Sequence, residues 1–309
     1  NKLLGSAAAL ALFVAAAADA SAANTLRWAS KGDALTFDPH AQNHGPTNTQ
    51  NKQVYEPLIM RGADQSMEPG LALEWGPVED TVWEFKLRPD VKFHDGADFT
   101  AEDVVFTFER AQAATSDFRG YITSVDRVEA VDDLTVRIHT KGPNPILPNQ
   151  LTELKIVDKG WAEANGVTEP QNYAGGEETY AVRNANGTGP FRMTLREPDV
   201  RTVMVKNEAW WGLEQDPHNI DEIVYTPIAN DATRIAALLS GEVDFVLDPP
   251  LQDLQRIEGT AGLKTVSTPQ VRSIFFGVDQ ASDDLRHTDG NPFKDVKVRR
   301  AIYQAIDIE

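Results

Sequence analysis

The sequence predicts an α/β fold, on three observations. Ile223 to Ile228 reads as a buried strand, Asp231 to Leu239 as a helix capped by Asp231, and Gly241 to Leu247 as another strand. Strand, helix and strand in that order make a parallel α/β unit. Val82-Trp-Glu-Phe-Lys-Leu-Arg88 puts Trp83, Phe85 and Leu87 on one face, the pattern of a half-buried antiparallel strand. A chain of 309 residues that is 41 % hydrophobic can bury a core in more than one domain.

At the start of the chain, Lys2 precedes an apolar run from Leu3 to Ala18, and Ala20-Ser-Ala22 then offers small residues for cleavage. This reads as a partial secretory signal over residues 1–22, so the mature chain is expected to begin near Ala23 and to be soluble. Leu26 to Ala29 is a strand. Leu35-Thr-Phe-Asp-Pro39 leads into a polar loop through His40, Asn43, His44, Gly45 and Pro46, and a helix follows from about Thr47 to Tyr55. Pro89-Asp90 and His94-Asp-Gly96 are turns, and Thr100-Ala-Glu-Asp103 is a capping box opening a helix that carries Val104, Val105 and Phe108. Val125 to His139 holds two strands with Asp132-Asp133 at their turn. Prolines 143, 145 and 148 and the polar stretch Thr168 to Ala185 punctuate the chain, which places a domain crossing near residue 185. Gly187-Thr-Gly-Pro-Phe191 reads as a tight turn, Thr202 to Lys206 as a strand and Trp210-Trp211 as packing residues. Asp295 caps a last helix with Val298, Ala301, Ile302, Ala305 and Ile306 on one face. Only three residues follow Ile306, so the chain reads as a piece of something longer.

A net charge of -18 and a pI near 4.7 make nucleic acid and anionic membrane poor partners, while favouring a cationic ligand at long range or simply solubility. With no cysteine, the chain has neither a disulfide scaffold nor the thiol that lipid attachment needs, and the expected location is a periplasm. Enzyme signatures are missing: no Gly-x-Ser-x-Gly elbow, no Walker A loop, no Gly-x-Gly-x-x-Gly and no His-Glu-x-x-His. The six histidines are scattered; His40 and His44, the one close pair, lack helical alignment if their segment is a loop. No enzyme activity, cofactor or metal is expected.

Several segments carry a family resemblance: Phe37-Asp-Pro39, Val54-Tyr-Glu-Pro-Leu58, Leu87 to Gly96, Thr100 to Phe106, Gly187 to Phe191, Ser240-Gly-Glu-Val-Asp244 and Pro292 to Ile302. In this order they resemble the bacterial extracellular solute-binding proteins of family 5, the oligopeptide-, dipeptide- and nickel-binding partners of ABC transporters. The resemblance implies a two-lobe periplasmic binding protein fold of type II with an extra subdomain, the second lobe truncated here. Its first lobe would comprise residues 23–55 and 186–269, the inserted subdomain 56–185, and the opening of the second lobe 270–309. It implies a monomer that captures a peptide between closing lobes and delivers it to a permease, with no bond broken. A nickel chelate, an opine-like compound or an oligosaccharide is the alternative cargo, and a secreted hydrolase the competing class.

The ligand contacts expected from the resemblance begin with Asn43, His44 and Gly45, in the loop where backbone atoms pair with an extended ligand. Each imidazole reads equally as a solvated loop histidine. Phe118 is either an aromatic over the ligand or a core residue, and Asp248, in Asp-Pro-Pro250, either meets a cation or is a turn carboxylate. Arg272 is placed to clamp a carboxylate. Phe275 and Phe276 follow it on what reads as a strand, so one of them, taken as Phe276, faces the cleft.

Overall fold

The structure is a computed structural model and describes residues 23–270 and 275–307. The leader and Arg272 lie outside the described residues. In chain order the elements are β1 (Thr25–Ser30), α1 (Gly45–Asn51), β2 (Ile59–Arg61), β3 (Met67–Pro69), β4 (Ala72–Glu79), β5 (Val82–Leu87) and α2 (Ala101–Ala111). There follow β6 (Val125–Asp132), β7 (Thr135–Thr140), α3 (Leu147–Leu151), α4 (Lys159–Ala164), β8 (Phe191–Glu197), β9 (Arg201–Lys206), β10 (Glu222–Pro227), α5 (Asp231–Ser240), β11 (Phe245–Val246), α6 (Leu254–Glu258) and α7 (Val296–Gln304). Of the described residues, 23–267 form one compact unit and those from 268 a second.

The first unit holds a five-stranded sheet ordered β11-β1-β10-β9-β8. β1 lies parallel to both its neighbours, with Trp28 opposite Tyr225 on β10 and Phe245 on β11. The chain therefore runs β10, α5, β11 and crosses over β1, the parallel unit expected from the sequence. Ile235 and Leu238 of α5 pack on Ala29 and Val246, while on the other side Trp28 and Tyr225 join Phe37, Tyr55, Phe191 and Met204. β9 pairs antiparallel with β10 and β8.

No strand between residues 59 and 140 enters that sheet. They form a β2-β3 hairpin and a second, antiparallel sheet ordered β4-β5-β7-β6. Phe85, Val136 and Ile138 alternate inward and meet Val104 and Phe108 of α2. At the start of α2, the Asp103 carboxylate accepts from the Thr100 N–H at 2.9 Å, as the capping-box motif predicts, and also from the Thr100 hydroxyl at 3.1 Å.

Some boundaries differ from expectation. α1 starts at Gly45, because Pro46 lacks the N–H that a first turn leaves unpaired, and His44 takes the cap position in extended conformation. It ends at Asn51 rather than Tyr55. The cap of α5 is Asn230, whose side-chain oxygen accepts from Thr233 N–H at 2.9 Å, displacing Asp231 into the first turn. Gly187 is a site of close approach more than a turn: a Cβ there would run into the Val54 carbonyl. Nearby, the Gly189 N–H donates to that carbonyl at 2.9 Å and the Phe191 N–H to Gln53 O at 3.0 Å.

In the second unit, Asp295 caps α7 by accepting from Lys297 N–H at 2.8 Å. Phe275 and Phe276 belong to no strand there, so strand alternation does not sort them, and both are exposed.

Candidate functional site

Parallel strands aim their carboxyl ends at one edge of the sheet, where open α/β sheets bind ligands. A cavity of about 410 Å³ lies at that edge. The residues after β1 (Lys31, Gly32) wall it, with His44 and Pro46 at the start of α1, Asp231 and Arg234 at the start of α5, and Asp248 and Pro250 after β11.

The cavity wall carries both signs of charge. Arg234 is 1 % exposed; it donates to Ile228 O at 2.7 Å and pairs with Asp231 Oδ1 at 2.6 Å, and its Nε has no partner. Lys31 and Asp248 are exposed, and neither has a hydrogen-bond or ion-pair partner among the described residues. Asp248 sits at φ +51°, in the left-handed region that aspartate tolerates better than most residues.

The 38–44 loop is fixed from beneath by a buried network. Arg110 on α2 donates to both oxygens of Asp38, at 2.9 and 2.7 Å, and to His40 Nδ1 at 3.1 Å. His40 Nε2 in turn donates to Lys155 O at 2.8 Å. Burial pushes the His40 pKa down to about 3, helped by Arg110, so the ring stays neutral. Burial alone would raise Asp38, but the Arg110 charge and hydrogen bonds, with the Gln171 N–H, hold it below the usual carboxylate range.

The structure sorts the expected site residues. His44 and Asp248 meet in the cavity. Asn43 stands next to it, with its side chain linked to Asn48 at 2.8 Å and Tyr121 OH at 3.2 Å, and its N–H donating to Asp117 at 3.2 Å. Gly45 leaves open space where a Cβ would stand. Phe118 is a core residue: it is 0 % exposed, stacked on Tyr121 at 5.7 Å, and offers no face to a ligand. His40 is likewise buried, not a solvated loop histidine. Phe276 lies exposed in the second unit. The sequence reading missed Lys31 and Arg234. Their signal was positional: Lys31 follows the carboxyl end of a parallel strand, and Arg234 stands three residues into the helix after another.

The family model for bacterial extracellular solute-binding proteins, family 5 (middle portion) matches residues 66–309. The chain belongs to that family. The glutathione-binding protein GsiB of Pectobacterium atrosepticum is 29 % identical over 95 % of this chain and 55 % of its own length. Among solved structures, DppA from Helicobacter pylori in complex with the peptide STSA superposes with a TM-score of 0.66 at 26 % identity, over 76 % of this chain and 48 % of that one. The binding protein MoaA from A. tumefaciens R10, solved with mannopinic acid, gives 0.67 at 29 % identity over 76 % and 47 %. The chain spans about half the length of the curated relatives it matches. As in the other family 5 proteins, the fold is the mixed α/β fold of periplasmic binding proteins.

Proposed function

We propose that this protein is an exported, monomeric, periplasmic solute-binding protein that captures a short peptide in the cavity at the carboxyl ends of β1, β10 and β11. It then delivers the unmodified ligand to an ABC importer. Residues 1–22 serve as its signal peptide. The observation that carries this reading is the cavity wall: Lys31 and Asp248, unpaired among the described residues, and the pair of buried Arg234 with Asp231 give balanced charge, suited to a zwitterion. Asn43, His44 and Gly45 contribute exposed backbone and side-chain polar groups at the mouth. Arg272 and Phe276, of the second unit, are proposed ligand contacts on the family resemblance alone. Membership in a transport-binding family and the absence of the enzyme signatures sought in the sequence support binding without turnover.

We take residues 23–55 and 186–269 as one lobe and 56–185 as a subdomain inserted into it, a division that the strand membership of the two sheets supports; the opening of a second lobe at 270 rests on the family resemblance. An opine-like ligand is the second reading, favoured by the likeness to MoaA with mannopinic acid. Isothermal titration of the purified protein with di- and tripeptides, mannopinic acid and a nickel–histidine chelate separates them. Saturable binding of a peptide, recovered intact by mass spectrometry, is the expected result. Binding of mannopinic acid or the chelate alone, or cleavage of a peptide in proportion to protein concentration, would refute the peptide reading.

A further inference from the structure

Glu56 is a buried carboxyl outside the cleft with no counter-ion among the described residues. Glu56, in the segment after α1, is 2 % exposed, and its carboxylate accepts from Thr188 Oγ1 at 2.7 Å, Trp210 Nε1 at 2.9 Å and Trp211 Nε1 at 2.9 Å. All three donors are neutral. An ionised carboxylate taken out of water is costly unless a cation pairs with it, and no lysine or arginine among the described residues forms that pair. Arg88 acts on it only from a distance, its guanidinium lying on the Trp211 ring 3.7 Å from the centroid. Burial accordingly pushes Glu56 up to about 6.

Glu56 is also part of a cavity wall. It lines a cavity of about 290 Å³ beyond the C-terminal end of α1 that shares no residue with the cleft cavity at the N-terminal end. Tyr55, Pro57, Met60, Pro190 and Trp210 give the cavity apolar and aromatic walls. The remaining charged groups that face it are Lys52, Arg61, Glu153 and Asp216. Lys52 is held by Glu153 at 2.9 Å, and Arg61 donates to Gln65 O and Asn149 Oδ1, each at 3.3 Å. Asp216 has no side-chain partner among the described residues. Glu56 and Asp216 are thus two carboxylates without an ion-pair partner among the described residues, against one such cation, Arg61, in a pocket with an indole and a thioether, a composition suited to organic cations. Glu56 Oε1 accepts one hydrogen bond and keeps a lone pair free for another.

We infer that this cavity is a second ligand site, which takes a small organic ammonium ion whose charge is read by Glu56 and Asp216 and whose alkyl part lies on Trp210 and Met60. Because a neutral Glu56 offers no charge, binding weakens as the pH falls through the range in which that carboxyl protonates.

Thermal melting of the protein in propylammonium chloride, with potassium chloride and 1-propanol as controls, tests this. Propylammonium should raise Tm saturably at pH 7.5 and the controls should not; at pH 5 the half-saturating concentration should be at least about threefold higher. Glu56→Gln should abolish the response. Should that variant fail to fold, Asp216→Asn decides, with an expected rise of about threefold or more in half-saturation. Asp248→Asn, in the cleft, should leave the response intact. Equal shifts with potassium chloride or propanol, a full response in Glu56→Gln, an unchanged midpoint in Asp216→Asn or loss of the response in Asp248→Asn would each overturn the inference.

Discussion

Arg110 grips Asp38 through two hydrogen bonds of 2.9 and 2.7 Å, between side chains that are 1 % and 0 % exposed. The pair ties α2, in the unit's second sheet region, to the loop that leads to the cleft. With the His40 contact at 3.1 Å it makes that loop's backbone a fixed wall.

Breaking a buried pair strands the remaining charge. Arg110→Ala should destabilise the first unit by about 3–5 kcal/mol, measured by urea denaturation. Asp38→Asn should do similar harm, and the double variant should cost clearly less than the sum of the two. A surface ion pair such as Lys52–Glu153 is a suitable contrast, worth about 0–1 kcal/mol.

Two histidines, His40 buried and His94 part-buried, should set the acid sensitivity. His40 is depressed to about 3 and His94 to about 4, both chiefly by burial. An unfolded histidine protonates near pH 6.5 and the folded ones do not, so the unfolded state binds protons first as pH falls. Stability is full above about pH 6.5 and is lost below it, by up to about 1.4 kcal/mol per pH unit for each ring. Glu56, raised to about 6, opposes this between about pH 6 and 4.5, where its folded carboxyl takes up a proton before the unfolded one. The net expectation is a fall in Tm from pH 6.5 to 4.5, made steeper in Glu56→Gln and shallower in His94→Gln, as scanning calorimetry would record.

At the cleft, exposed groups should affect binding and leave stability alone. Lys31→Ala and Asp248→Asn, the latter keeping a side chain that tolerates the left-handed backbone at that position, should change stability by less than about 0.5 kcal/mol. Each should weaken ligand binding by about tenfold or more, the worth of one hydrogen bond to a charged group. Calorimetric titration beside a melting curve reads both quantities. Arg234→Ala, by contrast, should lower both, because its guanidinium is buried against Asp231 and Ile228 O.

Gly187 gives a packing test. A methyl group there meets the Val54 carbonyl, and one on Gly189 comes within 2.8 Å of Gln53 O. Gly187→Ala should cost about 1–3 kcal/mol, while Gly76→Ala, with open space at its Cβ, should cost far less. Chemical denaturation of the two variants side by side checks the difference.

Local chemistry made much of the fold legible. The 82–88 alternation, the Thr100 box, the Asp295 cap and the strand–helix–strand from Ile223 each became the element expected, because each is decided by neighbours in sequence. β8 escaped notice: its residues, Phe191-Arg-Met-Thr-Leu-Arg-Glu, pair with β9 through a register shift that blurs their alternation. The lining of the candidate cavity was half legible. His44 and Asp248 were singled out from their segments, but Lys31 and Arg234 gain meaning only once β1 and β10 lie side by side, and pairing between residues so far apart is a tertiary fact. Phe118 failed for the converse reason, since nothing in sequence distinguishes an aromatic in a core from one on a wall.

The most direct test is native mass spectrometry of the protein purified without denaturation, followed by sequencing of whatever it releases. Capture by the Lys31–Asp248 cavity predicts a stoichiometric, chemically intact peptide that is lost from the Lys31→Ala and Asp248→Asn proteins. A ligand retained equally by both variants, or a peptide recovered only as hydrolysis products, would contradict it.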